Sequence, residues 1–508
     1  MTTLNRQTDV TLGLLLQDFV APSRLTDLEI HGISHNSTDV GKGDLFVAQA
    51  GLTRHAIDYA ADAIGRGAVA VIYDASDVHS LQRVQFLSKQ FSHVSFVAVP
   101  DLMKKIGAIA SRFYGEPAKK FKLIGITGTD GKTSVTHLLV QVLTRLGKKA
   151  GSVGTLGYGV SNDLKMTGLT TPDAISLQSI LFELAVSQCE FVVMEVSSHA
   201  LDQYRVAGCQ FDIAVLTNLG SDHLDYHENT ENYKRAKARL FHYSGLSARV
   251  LNMDDAFGRQ LAGQFDDTKV TGYSAHPDAP DVAEVRLLSS AMGDQGIEVT
   301  VATPRGELFV RTALIGDFNI ENLLACISTL LQMGLNLEQI EQGMNGLQPI
   351  PGRMQYFPAR NGLPAVVIDF AHTEQALSAC LKALANYASG EMICVFGCGG
   401  DRDQSKRPRM AAVAEQLADQ VIVTDDNPRN EAPEQIMREI LAGFRQPDHV
   451  RVIHDRQLAI ETAMREASEQ DLVVIAGKGH EQVQIIGEQR MPFSDHHVVR
   501  SVMNEVSQ

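Results

Sequence analysis

Short apolar runs recur along the chain, separated by stretches whose apolar residues return every three or four positions. The runs Ala68–Tyr73, Lys122–Thr127, Phe191–Val196, Ile213–Asn218, Val366–Asp369, Met392–Gly397, Gln420–Thr424 and Asp471–Ala476 read as buried strands. A strand apolar on both faces needs cover on both, which helices packed on a parallel sheet supply. The alternation therefore predicts an α/β fold with largely parallel sheets. The segment Val282–Ala313 instead alternates like antiparallel strands. Two breaks punctuate the pattern: Val99–Pro100, before a helical stretch, and Gln348-Pro-Ile-Pro-Gly352. They divide the chain into 1–100, 101–350 and 351–508. Neither repeats nor low-complexity tracts stand out.

Composition adds limits. At roughly 100–200 residues per domain, 508 residues suit about three domains. Hydrophobic residues at 44% and charged residues at 21% can fill several cores. A formal charge of −15 makes unspecific binding to nucleic acid or an anionic membrane unfavourable. A local basic pocket can still hold a small anion. Cys189, Cys209, Cys326, Cys380, Cys394 and Cys398 are scattered, mostly within apolar runs. Cys394 and Cys398 are close, but no second pair or nearby His completes a zinc pattern, so reduced core thiols are expected. Met1–Asp18 lacks the basic start and apolar run of a signal peptide, and no stretch reaches the ~20 apolar residues of a membrane span. A cytoplasmic protein without membrane insertion is the expectation.

The strongest local chemistry lies in Lys122-Leu-Ile-Gly-Ile-Thr-Gly-Thr-Asp-Gly-Lys-Thr-Ser134, with a helical pattern from Val135 to Leu146. A buried strand running through a Gly-rich turn into a helix can wrap backbone N–H groups around phosphate oxygens. Lys132 would reach the β and γ phosphates, and Thr133 would offer a hydroxyl to Mg²⁺. Ile126 stands where a strict P-loop has its first Gly, leaving Thr-Gly-x-x-Gly-Lys-Thr. Asp130 is unexpected, because a carboxylate repels a triphosphate unless a cation compensates.

Further blocks follow in order: Met194-Glu-Val-Ser-Ser-His-Ala-Leu201, Thr217-Asn-Leu-Gly-Ser-Asp-His-Leu-Asp-Tyr-His227, Tyr233-Lys-Arg-Ala-Lys-Ala-Arg-Leu-Phe241, Gly316-Asp-Phe-Asn-Ile-Glu-Asn322 and Pro351-Gly-Arg-Met354. The last third carries Asp369-Phe-Ala-His372, Gly397-Cys-Gly-Gly-Asp-Arg-Asp403, Asp426-Asn-Pro-Arg429 and Ala476-Gly-Lys-Gly-His-Glu481. The series resembles the Mur ligases along nearly the whole chain. The resemblance implies an N-terminal domain for a UDP-linked substrate, a central P-loop ATPase domain and a C-terminal Rossmann-like domain. It implies an ATP-dependent ligase that activates a carboxylate as an acyl phosphate and joins it to an amine. The expected reactants are UDP-N-acetylmuramoyl-L-alanyl-D-glutamate and meso-2,6-diaminopimelate, in peptidoglycan precursor synthesis, with ATP and Mg²⁺ and a monomeric enzyme.

Carried over by motif, Gly128, Thr129, Asp130, Gly131, Lys132, Thr133 and Ser134 surround the phosphates. Asn319 and Asn322 serve the adenine side, and Arg353 the phosphates. Asn322 opens an apolar helix, so an N-cap is its rival role. Lys132, Glu195, His223 and Lys237 are the catalytic set, and Thr133, Glu195, His223 and Lys237 the metal ligands. Lys237 takes that role as a carbamate, since a free ammonium has no oxygen donor. Ser37, Thr170, Thr171, Ser197, Gln203 and Arg205 meet the UDP-linked substrate, and Arg402, Asp426, Asn427, Pro428, Arg429, Gly477 and Glu481 form the diaminopimelate pocket. There an Arg pairs with the distal carboxylate and an acid with the neighbouring ammonium. Alone, the Asp426–Arg429 tetrapeptide would read as a surface turn with a solvated Arg.

The sequence departs from the family at several points. His35-Asn-Ser-Thr38 stands for the usual Asp-Ser-Arg, and Gly51-Leu-Thr-Arg-His-Ala56 lacks the usual Asp-Gly. Asp130 replaces Asn, Phe370 replaces Tyr, and Glu374 replaces Pro. Three alternatives stay open: a folylpolyglutamate synthase of like architecture, a lysine-adding ligase, and a nucleotide-binding protein without catalysis.

Overall fold

The computed structural model describes residues 10–22, 26–51, 54–161, 163–220, 222–265, 269–279, 283–293, 296–385 and 387–505. Met1–Asp9, part of the stretch weighed as a signal peptide, and Val282, which opens the antiparallel expectation, lie outside them. The chain forms two compact units. One comprises 1–273, 280–284 and 325–335; the other comprises 274–279, 285–324 and 336–508.

The first unit begins with a parallel sheet of β1 (Gly32–Ser34), β2 (Asp44–Ala48), β3 (Ala70–Asp74) and β4 (Ser95–Val99), in that spatial order. Successive side chains point to opposite faces of a strand. Leu45, Val47, Ala70, Ile72, Val97 and Val99 accordingly pack with the helix Leu102–Phe113, while Phe46, Ala48, Val71 and Tyr73 pack with Ala60–Arg66.

Eight strands follow in the same unit: β5 (Lys122–Thr127), β6 (Ala150–Gly154), β7 (Gly157–Val160), β8 (Asp163–Lys165), β9 (Phe191–Glu195), β10 (Ile213–Leu216), β11 (Ala248–Asn252) and β12 (Val270–Ser274). Their spatial order is 12-11-10-5-9-6-7-8, parallel from β12 to β6 and antiparallel at β7 and β8. β5 lies between β9 and β10. Register pairs Ile126 with Glu195 and Thr127 with Leu216, so the Gly-rich turn leaves the sheet beside Glu195 and the Thr217–Asn218 segment.

In the second unit β13 (Val285–Gly293), β14 (Gly296–Thr303) and β15 (Gly306–Thr312) are antiparallel, as the alternation predicts. Along β15, Leu308, Val310 and Thr312 are buried between exposed neighbours. A second sheet has β16 (Gln355–Phe357), β17 (Ala365–Asp369), β18 (Met392–Phe396), β19 (Gln420–Val423), β20 (Arg451–Val452) and β21 (Leu472–Ala476) in the order 16-17-21-18-19-20. All but β16 run parallel. Both faces are covered: Cys394, Phe396, Val423 and Val474 enter one core, and Ile393, Val395, Ile422 and Ile475 the other. The predicted strands match the observed ones to within one or two residues. All six cysteines are free and buried. Among the described residues, no helix is long and apolar enough to cross a membrane.

The carboxyl end of β21 is fixed by a buried ion pair. Arg456 donates from Nε to Asp495 Oδ1 (2.8 Å) and from Nη2 to Oδ2 (2.9 Å), and neither side chain is exposed. Nη2 also donates to the Ala476 carbonyl at 3.0 Å, tying the helices Arg456–Glu466 and Asp495–Glu505 to the end of the strand. Burial opposes the charged guanidinium, but the charge and hydrogen bonds of Asp495 outweigh it and raise the arginine pKa. Removing one partner of such a pair costs more than removing both, because the survivor is left charged and dry. Asp495→Ala is therefore expected to destabilise the second unit by about 3–5 kcal/mol in urea unfolding. The paired change Arg456→Met, Asp495→Leu should cost less; equal costs would refute the argument.

Candidate active site

The Gly-rich turn closes on the ends of its neighbouring strands. Gly131, at φ 79°, turns the chain into the helix Lys132–Arg145, and a Cβ at Gly128 would lie 1.8 Å from Thr217 Oγ1. Thr129 N–H donates to the Asn218 carbonyl (3.0 Å) and Asp130 N–H to Asn218 Oδ1 (2.9 Å). Thr217 Oγ1 donates to the Asp130 carbonyl (2.6 Å), and Gly220 N–H to Thr129 Oγ1 (2.8 Å). Lys132 Nζ folds back on the Gly128 and Thr129 carbonyls at 2.9 and 2.8 Å. The exposed Asp130 carboxylate has no hydrogen bond or ion pair among the described residues. Ser134, the third residue of the helix, is half-buried.

Thr133 and Glu195 meet directly. The Thr133 hydroxyl donates to Glu195 Oε2 at 2.9 Å. Thr155 donates its backbone N–H to Oε1 (2.8 Å) and its hydroxyl to Oε2 (3.1 Å). Glu195 is fully buried, yet no cationic side chain pairs with it among the described residues. Lys237 is also buried, and its Nζ donates to the Gly128 carbonyl at 2.6 Å. Burial, then the Lys132 charge, lowers its pKa well below that of an ordinary lysine. Tyr233, one turn earlier, has its hydroxyl 3.0 Å from Thr129 Oγ1 and its ring 4.5 Å under Lys237 Nζ. His223 makes other contacts. At φ 54° it pairs with Asp222 (3.2 Å), and its ring stands edge-on to His199, 4.6 Å between centroids. Among the described residues no three His, Cys, Asp or Glu side chains converge as a ready-made metal set.

A cavity of about 750 Å³ opens within the same unit. Ser37, Gln203 and Arg205 line it, with Asn36, Thr38, Gln49, Arg54 and Asp173. Thr170, Thr171 and Ser197 stand behind this wall. Thr171 Oγ1 donates to the Glu195 carbonyl (2.8 Å) and accepts from Ser197 N–H (3.1 Å), and Arg205 Nη1 donates to the Thr171 carbonyl (2.9 Å). Thr170 and Thr155 hydroxyls are 3.1 Å apart. Arg205 also grips Gln203 Oε1, at 2.7 and 3.0 Å. Burial lowers its pKa.

In the second unit a polar cluster forms at the carboxyl ends of β18, β19 and β21, where open parallel sheets bind ligands. Asp426 and Asn427 are buried, so their tetrapeptide is not a solvated surface turn. Asn427 Nδ2 donates to Glu481 Oε2 (2.7 Å), and Gly477 N–H to the Asp369 carbonyl (3.1 Å). Arg429, at φ 53°, is anchored through its N–H to the Ile485 carbonyl (3.0 Å) and through Nη1 to the Gly400 carbonyl (2.9 Å). Burial, then the positive Arg402, lowers its pKa. A Cβ at Gly399 would lie 2.8 Å from Arg429 Nη1 and 3.8 Å from Arg402 Cγ, so both arginines pass beside this glycine and a side chain there would push the Arg429 guanidinium aside. Pro428 joins Asn427 to Arg429, and its carbonyl accepts from Glu431 N–H (3.1 Å). Lys478, not singled out from the sequence, lies fully buried at the centre of the cluster. Its presence within Ala476-Gly-Lys-Gly-His-Glu481 was the available signal.

The capping alternative for Asn322 is overturned. The helix Phe318–Gln332 begins four residues earlier, and Asn322 is buried, donating Nδ2 to Asn319 Oδ1 (2.9 Å). Asn319 in turn donates to the Ile315 carbonyl (2.7 Å). Arg353 lies over the Phe370 ring, 4.6 Å from its centroid, and its buried Nε has no partner among the described residues.

Three families match this chain in succession: the catalytic domain of the Mur ligase family over residues 29–114, the Mur ligase middle domain over 126–330, and the Mur ligase glutamate ligase domain over 352–479. The UDP-N-acetylmuramoyl-L-alanyl-D-glutamate–2,6-diaminopimelate ligase of Alkalilimnicola ehrlichii is 44% identical over 497 residues, covering 97% of this chain and 99% of the relative. The Pseudomonas aeruginosa protein of that name is 45% identical over 474 residues, 93% of this chain and 95% of the relative. A solved structure of a ligase of the same name aligns with a TM-score of 0.66 at 34% identity, over 94% of this chain and 96% of its own. Mycobacterium tuberculosis folylpolyglutamate synthase shares the fold, with a TM-score of 0.61 at 19% identity, over 79% of this chain and 96% of its own. The chain belongs to the Mur ligase family.

Proposed function

We propose that this chain is an ATP-dependent ligase that joins meso-2,6-diaminopimelate to UDP-N-acetylmuramoyl-L-alanyl-D-glutamate through an acyl phosphate. The single observation that carries the choice of amino acid is the pairing of Arg402 and Arg429 around Gly399, beside the buried Asp426, Asn427 and Glu481. Two guanidiniums suit a carboxylate, and the acids suit an ammonium. Lysine lacks the distal carboxylate and would leave Arg429 unpaired, at a cost of about 1–3 kcal/mol. The full-length relatives named for this reaction support the reading. The division into 1–100, 101–350 and 351–508, for UDP-linked substrate, ATP and amino acid, belongs to the same proposal.

The turn Gly128–Ser134 binds the triphosphate through backbone N–H groups and the helix N-terminus. Lys132 exchanges its carbonyl partners for phosphate oxygens. Asn319 and Asn322 serve the adenine and Arg353 the phosphates. The substrate carboxylate attacks the terminal phosphorus, the bond to the bridging oxygen breaks, and ADP leaves. The amine then attacks the acyl carbon and expels phosphate. Charge neutralisation and alignment dominate such a transfer. The 750 Å³ cavity with Ser37, Gln203 and Arg205 holds the UDP-linked substrate, with Thr170, Thr171 and Ser197 as its support.

Thr133, Glu195, His223 and Lys237 fit a bound Mg²⁺, which would neutralise phosphate charge. A buried carboxylate without a counter-cation is costly, and Glu195 is one. Lys237 has the opposite problem: an ammonium repels a metal. Its lowered pKa favours the neutral amine that reacts with carbon dioxide, and the resulting carbamate supplies oxygen donors.

The test is ADP release and product formation with ATP, Mg²⁺, the UDP-linked dipeptide and either diaminopimelate or lysine. Turnover with diaminopimelate, at least tenfold above lysine, is expected; none with any amino acid refutes the proposal. Arg429→Ala and Arg402→Ala should raise the diaminopimelate KM tenfold or more and leave the ATP KM within twofold. Equal losses would remove the pocket assignment. Asp130→Asn should keep activity and lower the KM for ATP, since it deletes a charge that repels the triphosphate; a raised KM would refute the repulsion.

A further inference from the structure

The Lys478 ammonium has no solvent exposure, and it donates to side chains of the amino-acid cluster. Nζ donates to Glu481 Oε2 at 2.8 Å and to Asn427 Oδ1 at 3.0 Å, and it lies 3.6 Å from Asp426 Oδ1. The segment that carries it follows β21, and Glu481 N–H donates to the Lys478 carbonyl (3.0 Å), closing a turn that presents both side chains to one place. A lysine that only filled the core would have no need of three polar partners drawn from one binding cluster.

The arrangement has two consequences. The first is orientation. Asn427 Oδ1 accepts from Lys478 and from Ile485 N–H (2.9 Å), so the amide is held with Nδ2 toward Glu481, which it meets at 2.7 Å. Glu481 Oε2 thus receives both Lys478 and Asn427, and Oε1 is the oxygen left for a ligand. The second is charge. Asp426 and Glu481 together carry two negative charges, and Lys478 cancels one. The acidic wall is left with one net negative charge, the complement of a single ammonium.

We infer that Lys478 is a positioning residue for amino-acid selection: it sets the Glu481 carboxylate and the Asn427 amide so that this wall accepts the ammonium on the distal carbon. The inference rests on the reading of the cluster as the diaminopimelate pocket. It assigns the distal ammonium to Glu481 Oε1 and Asp426, while Arg402 and Arg429 take the adjacent carboxylate. Lys478 acts through Glu481 and does not touch the reacting atoms.

The experiment compares Lys478→Met, which keeps the side chain's length without its charge, with the unaltered full chain, using meso-2,6-diaminopimelate and 2-aminopimelate. The second compound keeps the distal carboxylate and lacks the distal ammonium. Lys478→Met is expected to raise the diaminopimelate KM at least tenfold, with the KM values for ATP and the UDP-linked dipeptide within twofold. Its preference for diaminopimelate over 2-aminopimelate should fall by a similar factor. Because Lys478 acts through Glu481, adding Lys478→Met to Glu481→Gln should change the KM by less than twofold. A proportional loss with both amino acids, or a loss in all three substrates, means a structural role and overturns the inference. A lowered diaminopimelate KM means that the lysine merely competes with the incoming ammonium, and overturns it too. Arg429→Ala separates the two readings: if it leaves the diaminopimelate KM unchanged, the pocket assignment has failed, whereas a raised KM beside a silent Lys478→Met defeats this inference alone. If Lys478→Met does not fold, Lys478→Gln, which retains a donor of shorter reach, is held to the same KM and preference criteria.

Discussion

A carboxylate sealed from water organises the first unit. Glu195 ends β9 with no exposure, and a buried anion must find donors for both oxygens. It finds them in Thr133, at the start of the helix after the Gly-rich turn, and in Thr155, just beyond β6. One side chain thereby holds together three segments that approach from different strands. Its own carbonyl continues the chain of contacts: the Thr171 hydroxyl donates to it, Ser197 N–H donates to that hydroxyl, and Arg205 donates to the Thr171 carbonyl. The Gly-rich turn and the cavity lined by Arg205 are thus joined by hydrogen bonds inside one unit. For a transfer that depends on alignment, a fixed spacing between the two matters more than any single reactive group.

The second unit repeats the principle with the opposite balance of charge. Its cluster gathers both cations and anions at the ends of three parallel strands, and Asn427, Arg429, Lys478 and Glu481 are each held by another segment. Arg456 and Asp495 lock the end of β21 immediately before Gly477. Arg407, also fully buried, pairs with Glu431 and Glu439 and donates to the Gly399 carbonyl (3.1 Å), steadying the turn between Arg402 and Arg429. Charged groups that would be expensive to bury alone are kept by mutual pairing, and the pairing fixes their directions.

Much of this was legible beforehand. The apolar runs located the strands because a strand buried on both faces has few other places to go. Thr-Gly-x-x-Gly-Lys-Thr located the Gly-rich turn because strand, glycines and helix form one local unit. The likeness to Mur ligases rested on an ordered series of motifs, and the matches along the chain bear it out. Other features were hidden. A helix cap stood as the rival role for Asn322 because nothing local shows that the helix starts earlier. Taken alone, Asp426-Asn-Pro-Arg429 would be a solvated turn, because the burial of Asp426 and Asn427 is imposed by the surrounding structure and not by the four residues.

The chain's own pattern determined the class of fold, the positions of the strands and the turns able to hold phosphate, since backbone geometry and alternation of burial act over a few residues. Tertiary structure alone decided which charges meet. Lys237 reaches the Gly128 carbonyl across 109 positions, and Asn427 reaches Glu481 across 54. Those meetings follow from the order of strands in the sheets, and they decide proton affinity and hydrogen-bond direction because a charge's surroundings in space, not its neighbours in sequence, set its energy.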